Sequence, residues 1–527
     1  MFGLHPIAAA PFSDAGVTPI DYSMTADAGS FALTGQAVDL NVGRNLTAAS
    51  GSFTLSGQAV DLDKALNITA ASGSFSLSGQ TVDLNVRRLL SIGAGSFSTT
   101  GQDVTFAKAV KMAVTSGTFT LSLQGAAKLI TEVVPSGSFT VTGQDVTFDI
   151  SESFQAGSFS LSGQTVDLSK AINISLDAGN FSLSGQAVDF DKALNISVDS
   201  GSFTITGQQI NLNAALNVSV DAGSFTSTGQ DVTFRGGKVL EAESGTFSVT
   251  GNAVTFNQSV SILLDSGSFT LAGQDTGLNA NFNLSVDAGS FSVSGQELDF
   301  GIGESFEAGS FTLTGQAANL NKALNVALDS GSFSLTGQDA TLLKDLNISA
   351  DSGSFNVTGQ EIDVDISESF EKGTFSLSGQ AVGLFKAVKI FVDQGSFVLS
   401  GQDATSLKAL NISLEAGSFA LTGQDVNKKV SMPLDAGSFA TTTFEIDFGI
   451  SESFDRGTFT LAGQDVVFAV VIFRVRFEDQ NYEQTTTVAN SNNAVTLNPS
   501  SNSATISIPA ETITLNPSSN SVTLEAA

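Results

Sequence analysis

The chain has 527 residues and a formal net charge of -30, from 52 acidic and 22 basic side chains. It contains 41 Phe but one His, no Cys and no Trp, which excludes disulfides, thiolate metal sites and any catalytic dyad built on two His or on Cys. A surface this acidic repels phosphate backbones, so nucleic acid is not an expected partner, and apolar runs broken by Ser, Thr, Asp and Gly give no membrane-spanning helix.

In chain order, the first segment is 1–28. It is apolar at Phe2, Leu4, Ile7 and Phe12 and contains Pro6, Pro11 and Pro19, which suits an extended anchor. It has no basic n-region, so no secretory signal and synthesis in a cytoplasm are expected.

From 29 to 464 one unit repeats 21 times. Phe follows Gly-Ser, Gly-Thr or Gly-Asn at 31, 53, 75 and onward to 459, with fourteen intervals of 22 residues and six of 20. The unit from Gly51 places apolar residues at Phe53 and Leu55, at Val60 and Leu62, and at Leu66 and Ile68. Each pair is spaced by two, which is strand and not helix periodicity. Gly, Gln, Asp and Ser between the pairs are turn residues.

The parity of the apolar positions flips at Gly57-Gln58, and again at Ser200-Gly201. A two-residue hairpin loop requires such a flip, and Gly57 at the first loop position suits a type II′ turn. The same reading applies to Gly207-Gln208. It pairs Leu55 with Val60, Phe53 with Leu62, and Val198 with Phe203. The expected fold is therefore an all-β, elongated repeat of antiparallel hairpins wound into a rod. The alternative is a parallel β-solenoid, in which the three apolar pairs are walls of one coil and Phe53 stacks on Phe75, as Phe203 does on Phe225. In either case a single unit cannot bury enough apolar surface to stand alone, and an apolar face left open would call for partner chains, a homotrimer being one arrangement. Two copies, with Leu123-Gln124 and Thr443-Phe444 in place of Gly-Gln, must turn differently.

Residues 465–527 read as a second, smaller β element, a cap or attachment. It opens with the apolar stretch Val466 to Phe477, in which Arg474 and Arg476 give local positive charge. It continues with Thr496-Leu497-Asn498-Pro499-Ser500-Ser501, which recurs from Thr514 as short strands about an Asn-Pro-Ser-Ser turn.

Arrays such as Gly309-Ser310-Phe311-Thr312-Leu313-Thr314-Gly315-Gln316 resemble repeats of tailed-phage and prophage proteins. The opening Met1-Phe2-Gly3-Leu4 with Ala10-Pro11-Phe12-Ser13 is similar to the start of virion-associated proteins of such phages. The resemblance implies a virion component: a tail fibre, head fibre or decoration protein, made in the host cytoplasm and released with the particle. Other virion structural proteins and a host-surface receptor would then be its partners, besides copies of itself. The alternative is a bacterial cell-surface adhesin or an ice- or glycan-binding module, which would be extracellular. No family catalytic residue is implied.

Three polar ladders recur along the repeats. Asp199, Asp221, Asp287 and Asp329 precede the same turn; they could hold Ca²⁺ between repeats but read as solvated acids capping backbone N–H groups. Carboxylates that recur at equivalent positions form no unique convergent cluster, so no enzyme, cofactor or metal is expected. Ser and Thr one and three residues after each Phe, as at Thr204 and Thr206, form an outer hydroxyl face. Asn67, Asn173, Asn195, Asn217, Asn347 and Asn411 each begin an Asn-x-Ser/Thr sequon and read as a by-product of the repeat, with Asn–Asn hydrogen bonding between copies.

Overall fold

The computed structural model describes residues 22–475 except for breaks of one to six residues, together with four short strands at 485–487, 495–497, 512–515 and 523–525; in some strands only the backbone is described. Among the described residues every regular element is a strand. The chain falls into two compact units, Met1–Glu152 and Ser153–Ala527.

Each unit is a β-solenoid. In the second, the coil that starts at Gly201 shows why. Ser202–Leu212 lies in register with Asn180–Phe190, so that Phe181 faces Phe203, Leu183 faces Ile205, and Val188 faces Ile210. Leu194–Val198 and Leu216–Val220 form a further wall, in parallel register from Leu194↔Leu216 to Val198↔Val220. Phe203, Ile205, Ile210, Leu212, Leu216, Val218 and Val220 are all buried, and Thr204, Asn211, Asn217 and Ser219 alternate outward between them. Strand pleating sends alternate side chains to opposite faces. Three such walls closed on themselves leave one apolar interior and no uncovered apolar sheet face.

The first unit repeats this plan. Tyr22–Ala26, Arg44–Ala48, Asn67–Ala70, Arg88–Ile92 and Val110–Val114 form one parallel wall. Ser30–Asp39 pairs with Ser52–Leu62, and that strand in turn with Ser74–Ser78 and Thr81–Leu84, all in parallel.

The antiparallel hairpin is overturned. Phe53 lies between Phe31 and Phe75, not opposite Leu62; Leu55 lies between Leu33 and Leu77, not opposite Val60. Val198 faces Leu176 and Val220, not Phe203. Gly57-Gln58 falls inside the strand Ser52–Leu62, and Gly57 has no left-handed φ, so no type II′ loop exists there. The parity flip has another cause. Within the strand Ser202–Leu212, Gln208 and Gln209 are both exposed, and Ile210 resumes the inward face one residue out of phase with Phe203 and Ile205. A coil corner shifts the alternation as a hairpin loop does, so parity alone does not distinguish them.

Identical residues therefore stack on one another. Phe53 and Phe75 are 4.9 Å apart at 4°, Phe181 and Phe203 are 4.7 Å apart at 4°, and Phe203 and Phe225 are 5.3 Å apart at 4°. These separations are the interstrand spacing of a sheet, which forces rings on one rotamer into parallel stacks. The backbone ladder continues through the corners: Gln186 N–H donates to Gln164 O at 2.8 Å, Asp221 N–H to Val198 O at 2.9 Å and Ser224 N–H to Gly201 O at 3.0 Å.

Thr458–Val475 continues the parallel series against Ser438–Phe454, which runs unbroken through Thr443-Phe444. It also pairs antiparallel with Thr512–Leu515. The C-terminal element is thus tied by backbone pairing to the last described coil of its own unit.

Candidate functional site

The features that recur among the described coils are their corners and their outward polar ranks. At the corner before the repeat Phe, Gly is required by the closeness of the coil beneath wherever its surroundings are described, apart from Gly29. A Cβ on Gly201 would lie 2.0 Å from Gly179 O, and one on Gly95 would lie 2.1 Å from Gly73 O. The flanking Ser are small as well, so the corners line up into an open groove. In the second unit it runs past Ser244, Gly245, Ser266 and Gly267 to Gly353 and Thr374, and in the first past Gly29, Gly51, Gly73, Gly95 and Gly117. Its polarity is turned to structural use. Ser200 Oγ donates to Asp177 O at 2.7 Å, Ser244 Oγ to Asp221 O at 3.0 Å, Ser266 Oγ to Glu243 O at 2.9 Å, and Ser72 Oγ to Ala49 O at 2.8 Å. Each hydroxyl staples one corner to the coil before it.

The carboxylate column stands beside this groove. Asp199 and Asp287 are exposed and Asp221 is half-buried; Asp329 lies outside the described residues. Among the described residues no group of three or more His, Cys, Asp or Glu is placed to hold a metal ion. The Asn row is a hydrogen-bonded ladder where its side chains are described: Asn67 Nδ2 donates to Asn45 Oδ1 at 3.0 Å and Asn217 Nδ2 to Asn195 Oδ1 at 2.9 Å. Asn211 Nδ2 also donates to Asp189 Oδ1, at 2.7 Å. Ser202, Thr204 and Thr206 stack beside Asn180, Ser182 and Ser184 of the preceding coil, which makes three ranks along the Phe wall.

Phe53, Phe75, Phe203 and Phe225 sit in the interior, and Gly57, Gly201, Gly207, Gln58 and Gln208 at corners. Arg474 lies in the strand Thr458–Val475, in register with Ser453. Phe2, Leu4, Phe12 and Arg476 lie outside the described residues.

Lys238 escaped the sequence reading. It occupies the inward position held by Leu216 in the coil before and by Val260 in the coil after, and it is 2 % exposed. Its Nζ donates to Arg235 O at 2.8 Å and to Leu212 O at 3.2 Å, so the ammonium ties the corner Arg235–Gly237 to the wall beneath. Burial pulls its pKa down to about 8. The signal was available, since aligning units at a 22-residue offset sets this Lys in an apolar column. Three uncharged polar residues also point inward, Thr99, Ser227 and Thr276, each with a hydroxyl that meets no hydrogen-bond partner. On the outer face, burial and then the charge of Glu361 push the Asp363 carboxyl up.

No helix among the described residues is long and apolar enough to cross a membrane. Comparison with protein-family models, with curated proteins and with solved structures gave no match.

Proposed function

We propose that this chain is a non-enzymatic structural component of a tailed-phage virion, a fibre or decoration protein whose coils serve as spacer and whose ends attach. The observation that carries the spacer role is the in-register stacking. Successive coils present the same kind of corner and outward hydroxyl rank, as from Asn180–Phe190 through Ser202–Leu212 to Ser224–Thr228, so the repeating wall offers a partner the same surface again and again. Attachment then belongs to the segments that do not repeat, 1–28 and 465–527. Assignment to a virion rests on the resemblance of the Gly-Ser-Phe-x-Leu-Thr-Gly-Gln units and of the N-terminal residues. A homo-oligomer, other virion proteins and a host-surface receptor are the partners this reading calls for.

Deleting residues 201–222 removes one whole coil in register. The shortened protein should still co-purify with particles at wild-type stoichiometry, measured by quantitative mass spectrometry of purified virions. Loss of incorporation on removing that one coil would overturn the spacer role.

A second reading, an extracellular adhesin or a glycan- or ice-binding module, is favoured by one feature, the flat hydroxyl ranks at Ser202, Thr204 and Thr206. Adsorption to polysaccharide or ice that is lost when the Thr206 rank is replaced by Val would favour it over the virion reading.

A further inference from the structure

The first described coil of the first unit and the last of the second are finished differently. In the last, Thr458–Val475 pairs in parallel with Ser438–Phe454, and at Phe459–Ala462 its other edge is taken by Thr512–Leu515, which runs antiparallel. In the first, Ser30–Asp39 pairs with Ser52–Leu62 and Tyr22–Ala26 with Arg44–Ala48; among the described residues neither has a strand on its other edge. Leu33 is 38 % exposed where Leu55, one coil on, is 0 % exposed, and Phe31 is half-buried where Phe53 is fully buried. Ser30, Ala32, Thr34, Gly35, Gln36 and Ala37 are exposed as well.

We propose that this edge is the contact between two copies of the chain, which meet first coil to first coil about a twofold axis. The first argument is continuity with the packing inside each copy. The edge of Ser52–Leu62 is covered by a strand of the same plan, Ser30–Asp39, with Phe31 on Phe53 and Leu33 on Leu55. A second copy brings the same apolar pair to the edge left over. The second argument is the antiparallel strand of the last coil. Two equal strands that meet across a twofold axis run antiparallel. A Phe-x-Leu strand accepts such a partner there, with Phe459 in register with Leu515 and Leu461 with Ile513. Two copies of Ser30–Thr34 centred on Ala32 reproduce that register, Phe31 of each against Leu33 of the other. Opposed residues share a face, so the apolar interior continues across the axis. Because Thr512–Leu515 already occupies the edge at Phe459–Ala462, head-to-tail stacking is closed off there, and the bare coil is left to meet its own like.

The third argument is charge. Copies that each carry a net charge of -30 repel one another, so they meet only where charge is sparse. Edge strands that stay single are blunted by charge, by Pro or by a bulge. Residues 22–39 contain no Pro, and their charged residues are Asp27 and Asp39 alone. In the register centred on Ala32, Asp27 falls at Ala37 of the other copy and Asp39 at Thr25, so no carboxylate is set against another. The inference gives a contact to the homo-oligomer of the virion reading, but it rests on the strand edge and is read on free protein, where that reading does not enter.

The test is sedimentation of the full chain over a range of concentrations, together with amide hydrogen–deuterium exchange. The proposal expects a monomer–dimer equilibrium with no larger species. Exchange at 30–37 should slow about tenfold or more as the dimer forms, while 202–212 is unchanged. Leu33→Lys, at a site already open to water, should give a folded monomer. Ala32→Cys, in a chain without Cys, should cross-link two copies under mild oxidation, because the axis sets Ala32 beside its own counterpart; Thr54→Cys, one coil on, should not. Deleting residues 1–21 should leave the dimer intact. A chain that stays monomeric at every concentration would overturn the proposal, and protection of 30–37 in that monomer would make its own residues the cover. So would a series of ever larger species, which means head-to-tail stacking, or a Leu33→Lys protein that still dimerises, which puts the contact elsewhere. Loss of the dimer on deleting 1–21, with 202–212 unchanged, would also overturn it.

Discussion

Adjacent coils of the second unit differ in length, and the difference is confined to one corner. The coil carrying Phe269 has 22 residues to the next repeat Phe, and the coil carrying Phe291 has 20. Phe269 still faces Phe291, and Leu271 faces Val293. The second wall also keeps step, Thr276 against Leu298 and Leu278 against Phe300. The third wall resumes with Phe282 against Ile302, so three residues in the longer coil, 279–281, correspond to Gly301 alone in the shorter. The same happens between Leu342–Leu346 and Val364–Ile366. The Gly corner before each Phe shows no such latitude, because a neighbouring carbonyl fills the space beside every one of those Gly whose surroundings are described, apart from Gly29 on the bare first coil. One corner sets the rise between coils, and the other absorbs changes in sequence.

The largest expected effect breaks the strict corner. Gly201→Val sets a Cβ 2.0 Å from Gly179 O, and the obstacle is backbone that cannot rotate aside. Forcing the two coils apart should cost about 3–5 kcal/mol, since overpacking against backbone has no cheap relief. Proteolytic cleavage and amide exchange at 199–203 should rise steeply relative to coils farther along. A local readout is needed because long repeat arrays do not unfold in two states.

The next effect probes the tolerant corner through Lys238, which starts the third wall just after it. Its ammonium is buried, so its pKa falls from 10.5 to about 8 on folding. Between those values the unfolded chain binds more protons than the folded one, and the contribution of this group to stability rises with pH. Below about pH 8 the full cost of burying the charge remains. Lys238→Leu restores the residue type of Leu216. It should raise local stability at pH 7 by on the order of 2–3 kcal/mol, offset in part by the two lost hydrogen bonds to Arg235 O and Leu212 O. It should also flatten the rise between pH 8 and 10.5, which denaturant-dependent exchange at 238–242 can follow. A variant that is less stable at pH 7 would mean that the ammonium's hydrogen bonds outweigh its desolvation.

The smallest effect sharpens the contrast from the other side. Inserting Asn-Ala after Gly301 turns a short corner into a long one. Loop closure depends weakly on length, so the change should stay within about 0.5 kcal/mol. Exchange at 297–300 should be unaltered. A loss comparable to Gly201→Val would show that the two corners are equally constrained.

Much of the architecture was legible in residues. The interval between Phe residues gave the unit, and the spacing by two gave the strands. The Asn and hydroxyl ladders followed from the recurrence of the same residue at the same offset. Lys238 shows a subtler case, because its place in the Leu216 column is plain once units are aligned, but its partners are carbonyls of Arg235 and Leu212, which no side-chain pattern announces. Gly201 is legible as a corner residue, but the 2.0 Å between its added Cβ and Gly179 O, which makes Gly necessary there, is set by the coil beneath. Phe2, Leu4, Phe12 and Arg476, expected to serve attachment, stand out in the sequence only as apolar or basic exceptions to the repeat and lie outside the described residues.

By itself the sequence determined that the chain is a repeating β structure, which residues face inward, and that no unit is self-sufficient, because alternation and period depend on covalent order alone. It did not determine which strands pair. Phe53 two residues from Leu55, and Val60 two residues from Leu62, satisfy a hairpin and a coil equally, since both bury the same set of side chains. The choice was made by tertiary structure. A coil lets Phe53 stack between Phe31 and Phe75 and lets corner amides donate to the coil beneath, whereas a hairpin rod would leave one apolar face open to water.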